Sequence, residues 1–389
     1  MMKNAKILLC VSGGIAAYKA IDLASRLQKM GFEIRTVLTE SACKFVAPIN
    51  FSAITHNDVY TSLWDGSDPI PHITLADWAD LVVVAPASAN TIAKAAHGLA
   101  DNLLNSILLA HRKQVLWVPA MNVNMYENQV TGENLQALKL RGHHILDPAF
   151  GMLACAYTGK GKYPPNEEIV YAIRTYLEYG EDLCSVKALV TVGATVESID
   201  PMRMISNRSS GRMGLSLARA LYLRGAEVIL VYASISESKP YYISDAFHTL
   251  SVDEMHNRVM LEAPKCDWIF KCAAVSDYKP AEYRENKIKK ASDLQLNLVR
   301  TKDILSDLGS LKRDNQLLIG FAAETQNLEE NAKKKLEKKN LDLVVANHLK
   351  HAGSATSDIL MIDRKHNLCS AQGDKFDLAH LIIDRVISL

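Results

Sequence analysis

The stretch CVSGGIAAYKAIDLASRLQKMG, Cys10–Gly31, decides how the first half of the chain is read. The apolar run KILL just before it predicts a strand, Ser12-Gly13-Gly14 a turn, and the spacing of Ile15, Ala16, Tyr18, Lys19, Asp22 and Arg26 a helix over 15–30. Two consecutive glycines let the backbone turn without a side-chain clash. The helix that follows aims unpaired N–H groups and the positive end of its dipole at that turn, which suits a phosphate. The spacing is not the GxGxxG of dinucleotide folds, and glycine in such a turn also serves geometry alone. From pattern, both readings stand.

Outward from this turn, the strands EIRTVLT, DLVVVAPAS, QVLWVPAM and HHILD alternate with helical patterns near Ser41–Ala47, in HITLADWA, and in NTIAKAAHGLADNLLNSILLA. Apolar runs such as LVVVA between helices are what a parallel sheet covered on both faces requires. ACAYTGKGKYPPNEE reads as a loop before a helix over Glu167–Tyr179, and GEDLCS as a seam. The pattern restarts at VKALVTVGAT, with SSGRMGLSLARALYLRG as a helix and EVILVYA, CDWIFKCAAV, LLIGFAAE and LDLVVAN as strands. Two doubly wound, Rossmann-like α/β domains are expected, residues 1–185 and 186–389, the first of them flavodoxin-like.

A length of 389 residues suits two or three domains. Lys+Arg 44 against Asp+Glu 43 gives a net charge of +1, so nothing global argues for nucleic acid or an anionic membrane, and any anion site must be local. Seven scattered cysteines with no CxxC pair fit reduced thiols in a cytosolic protein and argue against a disulfide framework or a zinc site. Lys3 and Lys6 before ILLCVSGGIAA resemble the start of a signal peptide, but Ser-Gly-Gly breaks the apolar run. No run reaches the roughly 18–20 apolar residues of a membrane span. A cytoplasmic protein with small-molecule partners is expected, with no nucleic acid and no membrane.

Candidate site residues gather at predicted strand ends, where open α/β sheets place ligands. His72 opens a short helix, Ser88 and Asn90 follow one strand, Asn122 in PAMN follows another, and Cys155 sits in the glycine-rich loop. A surface histidine and an ordinary N-cap are the plain alternatives for His72 and Ser88. In the second half, ISNRSSGRMG is a polar turn suited to an anion or to a simple cap, and Asp277 stands at a strand end. NKIKK puts Lys287, Lys289 and Lys290 in a loop, and Lys335 and Lys339, four apart, share a helix face that salt bridges from Glu329 and Glu330 also explain.

Taken in order, VSGGIAAYKA, HITLADWADLVVVAPASAN, PAMN and ACAYTGKGK make the first half resemble the flavin-dependent cysteine decarboxylase family. With GATVESIDPMRMISNRSSGRMG, CAAVSDY, NKIKK and GFAAET, nearly the whole chain resembles the bacterial bifunctional phosphopantothenoylcysteine decarboxylase and phosphopantothenate–cysteine ligase family of coenzyme A synthesis. That resemblance implies FMN, with its phosphate at Ser12, Gly13 and Gly14 and further contacts from Thr39, Ser88 and Asn90. Oxidation of the thiol-bearing carbon by the flavin would leave the carboxylate β to a C=S group, so that CO2 can leave before the hydride returns. His72 is implied as a base, Asn122 as the group that recognises the substrate carboxylate, and Cys155 as the proton donor of the reductive step.

For the ligase the resemblance implies CTP, held by Lys271, Cys272, Ala273, Asp277, Lys287, Lys302, Asp303, Ile304, Leu305, Phe321, Lys335 and Lys339. CTP would activate the 4'-phosphopantothenate carboxylate as an acyl-CMP, which cysteine then attacks. Asn207 is implied at the phosphates or the acyl-phosphate intermediate, and Lys287 on a mobile loop that closes over the triphosphate. Mg2+ would neutralise the triphosphate, with Asp277 a candidate ligand. Trimeric flavin halves and dimeric ligase halves are further implied. The chain departs from the family at Ala156, where a glycine is usual, at Lys162-Tyr163 in place of Arg-Met, and at Thr301-Lys302 in place of Asn-Pro. Because alanine disfavours positive φ, the loop around Cys155 is expected to close differently. Two rivals carry other signatures. A flavin-binding regulatory protein needs no complete second half, and a two-domain nicotinamide dehydrogenase calls for GxGxxG with an acidic residue about twenty positions on.

Overall fold

The computed structural model describes residues 4–64, 68–154, 156–289, 294–324, 326–348 and 356–389. It divides into two compact units, Met1–Gly180 and Glu181–Leu389.

In the first unit the strands are β1 (Lys6–Val11), β2 (Glu33–Leu38), β3 (Val59–Tyr60), β4 (Leu81–Ala87), β5 (Val115–Pro119), β6 (His144–Ile145), β7 (Ala149–Met152) and β8 (Thr158–Lys162). The first six form a parallel sheet in the order β3-β2-β1-β4-β5-β6. Every residue of β4 is buried, as a sheet covered on both faces demands. The helix Ala17–Lys29 supplies part of that cover with Ala17, Ala20, Leu23, Ala24 and Leu27, spaced three and four apart. Apart from the two-residue β3, the succession is that of flavodoxin. The strand order reverses between β1 and β4, and a ligand crevice is expected beyond their carboxyl ends.

Three local expectations are corrected. The single helix expected over Asn90–Ala110 is two, Ala89–His97 and Leu103–Ala110. Gly98, at φ 70°, ends the first, and Asn102 caps the second by accepting from Asn105 N at 2.9 Å. The helix expected near Ser41–Ala47 is a 3-10 turn, Ala42–Lys44, and the α-helix starts later, at Pro48, whose fixed φ suits a first turn. The loop expected before the last helix of this unit, Asn166–Glu178, is the antiparallel hairpin β7–β8.

The second unit contains β9 (Lys187–Val192), β10 (Val196–Ser198), β11 (Met204–Ser206), β12 (Glu227–Tyr232), β13 (Ala246–His248), β14 (Trp268–Lys271), β15 (Tyr278–Pro280), β16 (Leu298–Arg300), β17 (Leu317–Glu324), β18 (Leu343–His348), β19 (Thr356–Asp363) and β20 (Leu368–Asp374). Its sheet runs β13-β12-β9-β14-β17-β18-β19-β20, parallel as far as β18 and antiparallel beyond. β10–β11 and β15–β16 are separate hairpins. Arg224, its side chain 2% exposed, gives two hydrogen bonds to the Asp182 carboxylate (2.8 and 2.5 Å) and one to Asp384 (2.6 Å). Pairing both ways keeps the buried guanidinium from standing uncompensated. Among the described residues, no helix is long and apolar enough to cross a membrane.

Candidate functional site

Four predicted residues stand at carboxyl ends of parallel strands in the first unit: Ser12 after β1, Thr39 after β2, Ser88 after β4 and Asn122 after β5. Ser12, 1% exposed, donates to Pro86 O and accepts from Ser88 N, both at 2.8 Å, so its hydroxyl straps β1 to β4 across the crevice floor. Thr39 Oγ1 accepts from Ala42 N at 3.1 Å, and Ser88 Oγ caps the next helix through Thr91 N at 3.3 Å. These three hydroxyls are thus engaged by the chain itself and shape the crevice. Thr39 Oγ1 accepts here and keeps its own O–H to donate; the other open donors are on the backbone. Among the described residues the N–H groups of Gly13, Gly14, Ile15 and Ala16 have no protein acceptor, and they precede a helix of 13 residues. A Cβ on Gly13 would stand 2.4 Å from Ser41 Cβ, whereas one on Gly14 would meet nothing within 4 Å. A cradle of open N–H groups at a helix start fits the phosphate of a flavin nucleotide. Asn90 is exposed in the first turn of the helix Ala89–His97.

His72 lies in the first turn of the helix Pro71–Trp78 with Nδ1 buried and, among the described residues, without a hydrogen-bond partner. Asn122 Oδ1 accepts from Asn124 N at 2.8 Å. The hairpin β7–β8 lies directly on this segment. Met121 N donates to Gly161 O at 3.0 Å, and a Cβ on Gly161 would stand 2.4 Å from Met121 O. One on Gly159 would stand 2.4 Å from Val123 Cγ2. Glycine is needed at both places, and the contact brings the Asn122 segment together with the hairpin. Cys155 itself lies outside the described residues. Beside it, Ala156 takes the left-handed conformation, φ 63°, and donates its N–H to Leu153 O at 3.0 Å. The expected change of closure is therefore not found at this residue. The hairpin pairing and the Leu153–Tyr157 hydrogen bond (2.8 Å) impose the backbone, at a strain of ~1–2 kcal/mol for alanine. Of the pair that departs from the family, Tyr163 is buried with its hydroxyl unpartnered among the described residues, and burial pushes its pKa up.

In the second unit the charges gather beyond β14 and β17. Lys271 ends β14 and donates to Ala273 O at 2.9 Å; burial, then the Lys335 ammonium, brings its pKa down to about 8. Lys335 donates to Phe321 O at 2.6 Å, and burial lowers its pKa too. Lys339 pairs with Asp303, which caps the helix Ile304–Leu311 by accepting from Ser306 N at 3.0 Å. Asp277 and Asp303 act on both Lys271 and Lys335, so these five charges and Phe321 form one group. Two partly dehydrated ammonium groups acting on each other are relieved by an anion between them. The side chains of Ile304 and Leu305, 1% and 5% exposed, belong to the core, which leaves only their backbone for a ligand. Ala273 is likewise buried, its N–H held by Thr191 Oγ1 at 3.1 Å, and burial pushes the Cys272 thiol up to about 12. Lys302 turns toward Asp253, at 3.7 Å.

Asn207 is held by Val275, to whose carbonyl its Nδ2 donates at 3.1 Å. Lys287 is exposed, but the next residue is not loose. Ile288 N donates to Asp200 Oδ2 at 3.0 Å, and Ile288 O accepts from Arg203 Nη1 at 3.2 Å. Ile288, at the centre of NKIKK, is thus hydrogen-bonded through both its backbone groups. Lys290 lies outside the described residues. Among the described residues no group of three or more His, Cys, Asp or Glu side chains could hold a metal ion.

Sequence reading missed a set of glycines. Gly193 (φ 87°) would put a Cβ 2.3 Å from Ser234 O, Gly211 (φ 75°) precedes the helix Arg212–Leu223, and Gly214 would put one 2.7 Å from Val192 Cγ2. They do what the three glycines of a dinucleotide turn do, but β10–β11 separates the first from the others, so a contiguous-motif scan finds nothing. It also passed over Asp200, for which the Asp-Pro turn signal was present.

Residues 1–178 match the family described as Flavoprotein, and residues 183–389 the family described as DNA/pantothenate metabolism flavoprotein C-terminal domain. The chain is 42% identical over 359 residues to the coenzyme A biosynthesis bifunctional protein CoaBC of Bacillus subtilis (strain 168), covering 91% of this chain and 88% of that protein. It is 42% identical over 351 residues to the protein of the same name from Haemophilus influenzae, covering 89% and 88%. Among solved structures, the C-terminal domain of a coenzyme A biosynthesis bifunctional protein CoaBC is 35% identical with a TM-score of 0.47, covering 53% of this chain and 96% of that one. A flavoprotein half followed by a pantothenate-metabolism half, and full-length likeness to these relatives, place the chain in the family of bifunctional coenzyme A biosynthesis enzymes.

Proposed function

We propose that residues 186–389 join cysteine to 4'-phosphopantothenate at the expense of CTP, through an acyl-CMP, and that residues 1–185 decarboxylate the product, 4'-phosphopantothenoylcysteine, to 4'-phosphopantetheine. The observation that carries this is the pairing, in one chain, of an open backbone anion cradle at Gly13–Ala16 with a separate group of partly buried ammoniums at Lys271 and Lys335, held on Ala273 O and Phe321 O.

In the first half the cradle receives the phosphate of FMN, and the flavin, when bound, supplies hydride acceptance and return. His72 serves as the base. Asn122 orients the substrate carboxylate, and Cys155 donates the proton of the reductive step. In the second half Lys271, Lys335 and Lys339 neutralise the triphosphate, Asp277 meets the Mg2+ that travels with it, and Lys287 and Asn207 stabilise charge as the carboxylate attacks the α-phosphorus. Six free cysteines among the described residues suit a reducing, cytoplasmic setting. Trimeric flavin halves and dimeric ligase halves accord with the family resemblance, and Phe45, Ile49 and Trp64 are large apolar side chains left exposed on the first half.

The test is incubation with phosphopantothenate, cysteine and CTP while pyrophosphate and CO2 are both followed. Both should appear. Lys287→Gln should lower ligase turnover by about 10², the scale of one lost transition-state donor, and leave CO2 release from supplied phosphopantothenoylcysteine unchanged. Release of neither product by the parent would favour a regulatory flavoprotein.

A further inference from the structure

Asp200 is a fully engaged carboxylate of the second unit, outside the charged group at β14 and β17. Its side chain has no exposed surface. Oδ1 accepts from Met202 N at 2.7 Å and Arg203 N at 2.8 Å, which closes the turn between β10 and β11. Oδ2 accepts from Arg203 Nη1 at 2.5 Å and from Ile288 N at 3.0 Å. The same Nη1 donates to Ile288 O, and Arg284 N donates to Ile199 O at 3.0 Å, so the segment Arg284–Ile288 is laid along the turn. Burial alone would raise the Asp200 pKa, but three backbone N–H groups and the guanidinium outweigh it and hold the group at about 2, ionised at any working pH.

Two segments meet at this carboxylate, and each leads to a residue of the ligase reading. From the turn, β11 runs directly into Asn207, whose amide is fixed on Val275 O. Ile288 is the neighbour of Lys287. We propose that Asp200 is a positioning residue that sets Lys287 at a fixed place relative to Asn207, so that the lysine meets the nucleotide from a pre-set backbone rather than from a free loop. This rests on the reading of the second half as the ligase. Holding a donor within a fraction of an ångström of where charge develops is how an enzyme avoids reorganisation during the reaction, and an untethered lysine would lose that.

Asparagine at 200 tests the tether selectively. Its oxygen can still accept from Met202 N and Arg203 N, but its NH2 would face the Ile288 N–H as donor against donor. In the full chain, Asp200→Asn should lower ligase kcat at least about tenfold with KM for phosphopantothenate and cysteine within about twofold, while CO2 release from supplied phosphopantothenoylcysteine stays at the parental rate. Amide exchange at Ile288 should accelerate. Lys287→Gln and the double variant complete a cycle: if Asp200 acts through Lys287, the double variant is no slower than Lys287→Gln alone. Should Asp200→Asn not fold, Asp200→Ser keeps a short acceptor for the turn but cannot reach Ile288, and the same readings apply. Parental kcat in Asp200→Asn with Lys287→Gln impaired, or additive losses in the cycle, overturns the positioning role. Lys287→Gln at parental turnover removes instead the reading of Lys287 beneath it, and the proposal with it.

Discussion

Residues 12–16 carry β1 into its helix in the flavin half, whereas residues 193–211 separate β9 from the corresponding helix in the ligase half. Both crossings leave a parallel strand at the ligand edge of a doubly wound sheet, and both need glycine where backbone meets backbone or side chain. The short one spends its residues on the turn alone, so its N–H groups stay open and recognition falls to the backbone. The long one folds back as β10–β11 over the sheet edge and brings in side chains: Asp200, Arg203 and Asn207. One fold thus presents two kinds of surface at its first crossing, open backbone N–H groups where the crossing is short and side chains where it is long, and the length of the crossing decides which.

The largest expected effect tests the long crossing. Gly193→Ala needs a left-handed alanine and a Cβ 2.3 Å from a backbone oxygen, and should destabilise the ligase half by about 3 kcal/mol, from the φ penalty plus overpacking. Urea unfolding followed by hydrogen exchange, resolved by half, reads this directly. A loss under about 1 kcal/mol would mean that the crossing can shift, and the comparison would fail. The flavin half supplies the reverse case at Ala156, where φ is already positive. Ala156→Gly should stabilise that half by about 0.5–1 kcal/mol, the relieved strain less the greater unfolded-state entropy of glycine, visible as a raised denaturation midpoint. The smallest effect on stability belongs to Gly14→Ala. With nothing within 4 Å of the new methyl, stability of the flavin-free protein should stay within about 0.5 kcal/mol, yet the flavin absorbance retained on purification should fall. If stability and flavin are both unchanged, the open space at Gly14 is not the ligand's.

The strands β1, β4 and β5 were legible because buried parallel strands leave uninterrupted apolar runs, as LVVVA does within Leu81–Ala87. The strand-end positions of Ser12, Ser88 and Asn122 followed from the same pattern. What those side chains do locally did not follow, since a hydroxyl turned onto its own backbone, as Ser12 is on Pro86 and Ser88, has the same sequence as one turned to a ligand. The hairpins were missed for a related reason. β7–β8 reads as loop because its glycines are there for contact with Met121 and Val123 rather than for turning. The antiparallel strand β20 lacks a continuous apolar run and is mostly exposed, whereas β19 carries the run ILMI, which the reading passed over. Asp200 lies in a quoted stretch, but its partner Ile288 is remote in sequence, and only the fold brings a carboxylate and a distant N–H together.

Arg224 has a consequence for how the second half can be handled as a unit of evolution or engineering. Asp182, where the chain enters this half, and Asp384, in its last helix, share a single guanidinium. Entry and exit therefore lie within one side chain's reach, as in a bead threaded through neighbouring holes. A half built this way can be fused behind another domain, inserted into a surface loop of one, or re-cut into a circular permutant with a short bridge, without any strand or helix being rerouted. Ionic closure of the entrance is compatible with finding such a module in one polypeptide with a flavoprotein, since the join demands nothing of the sheet behind it.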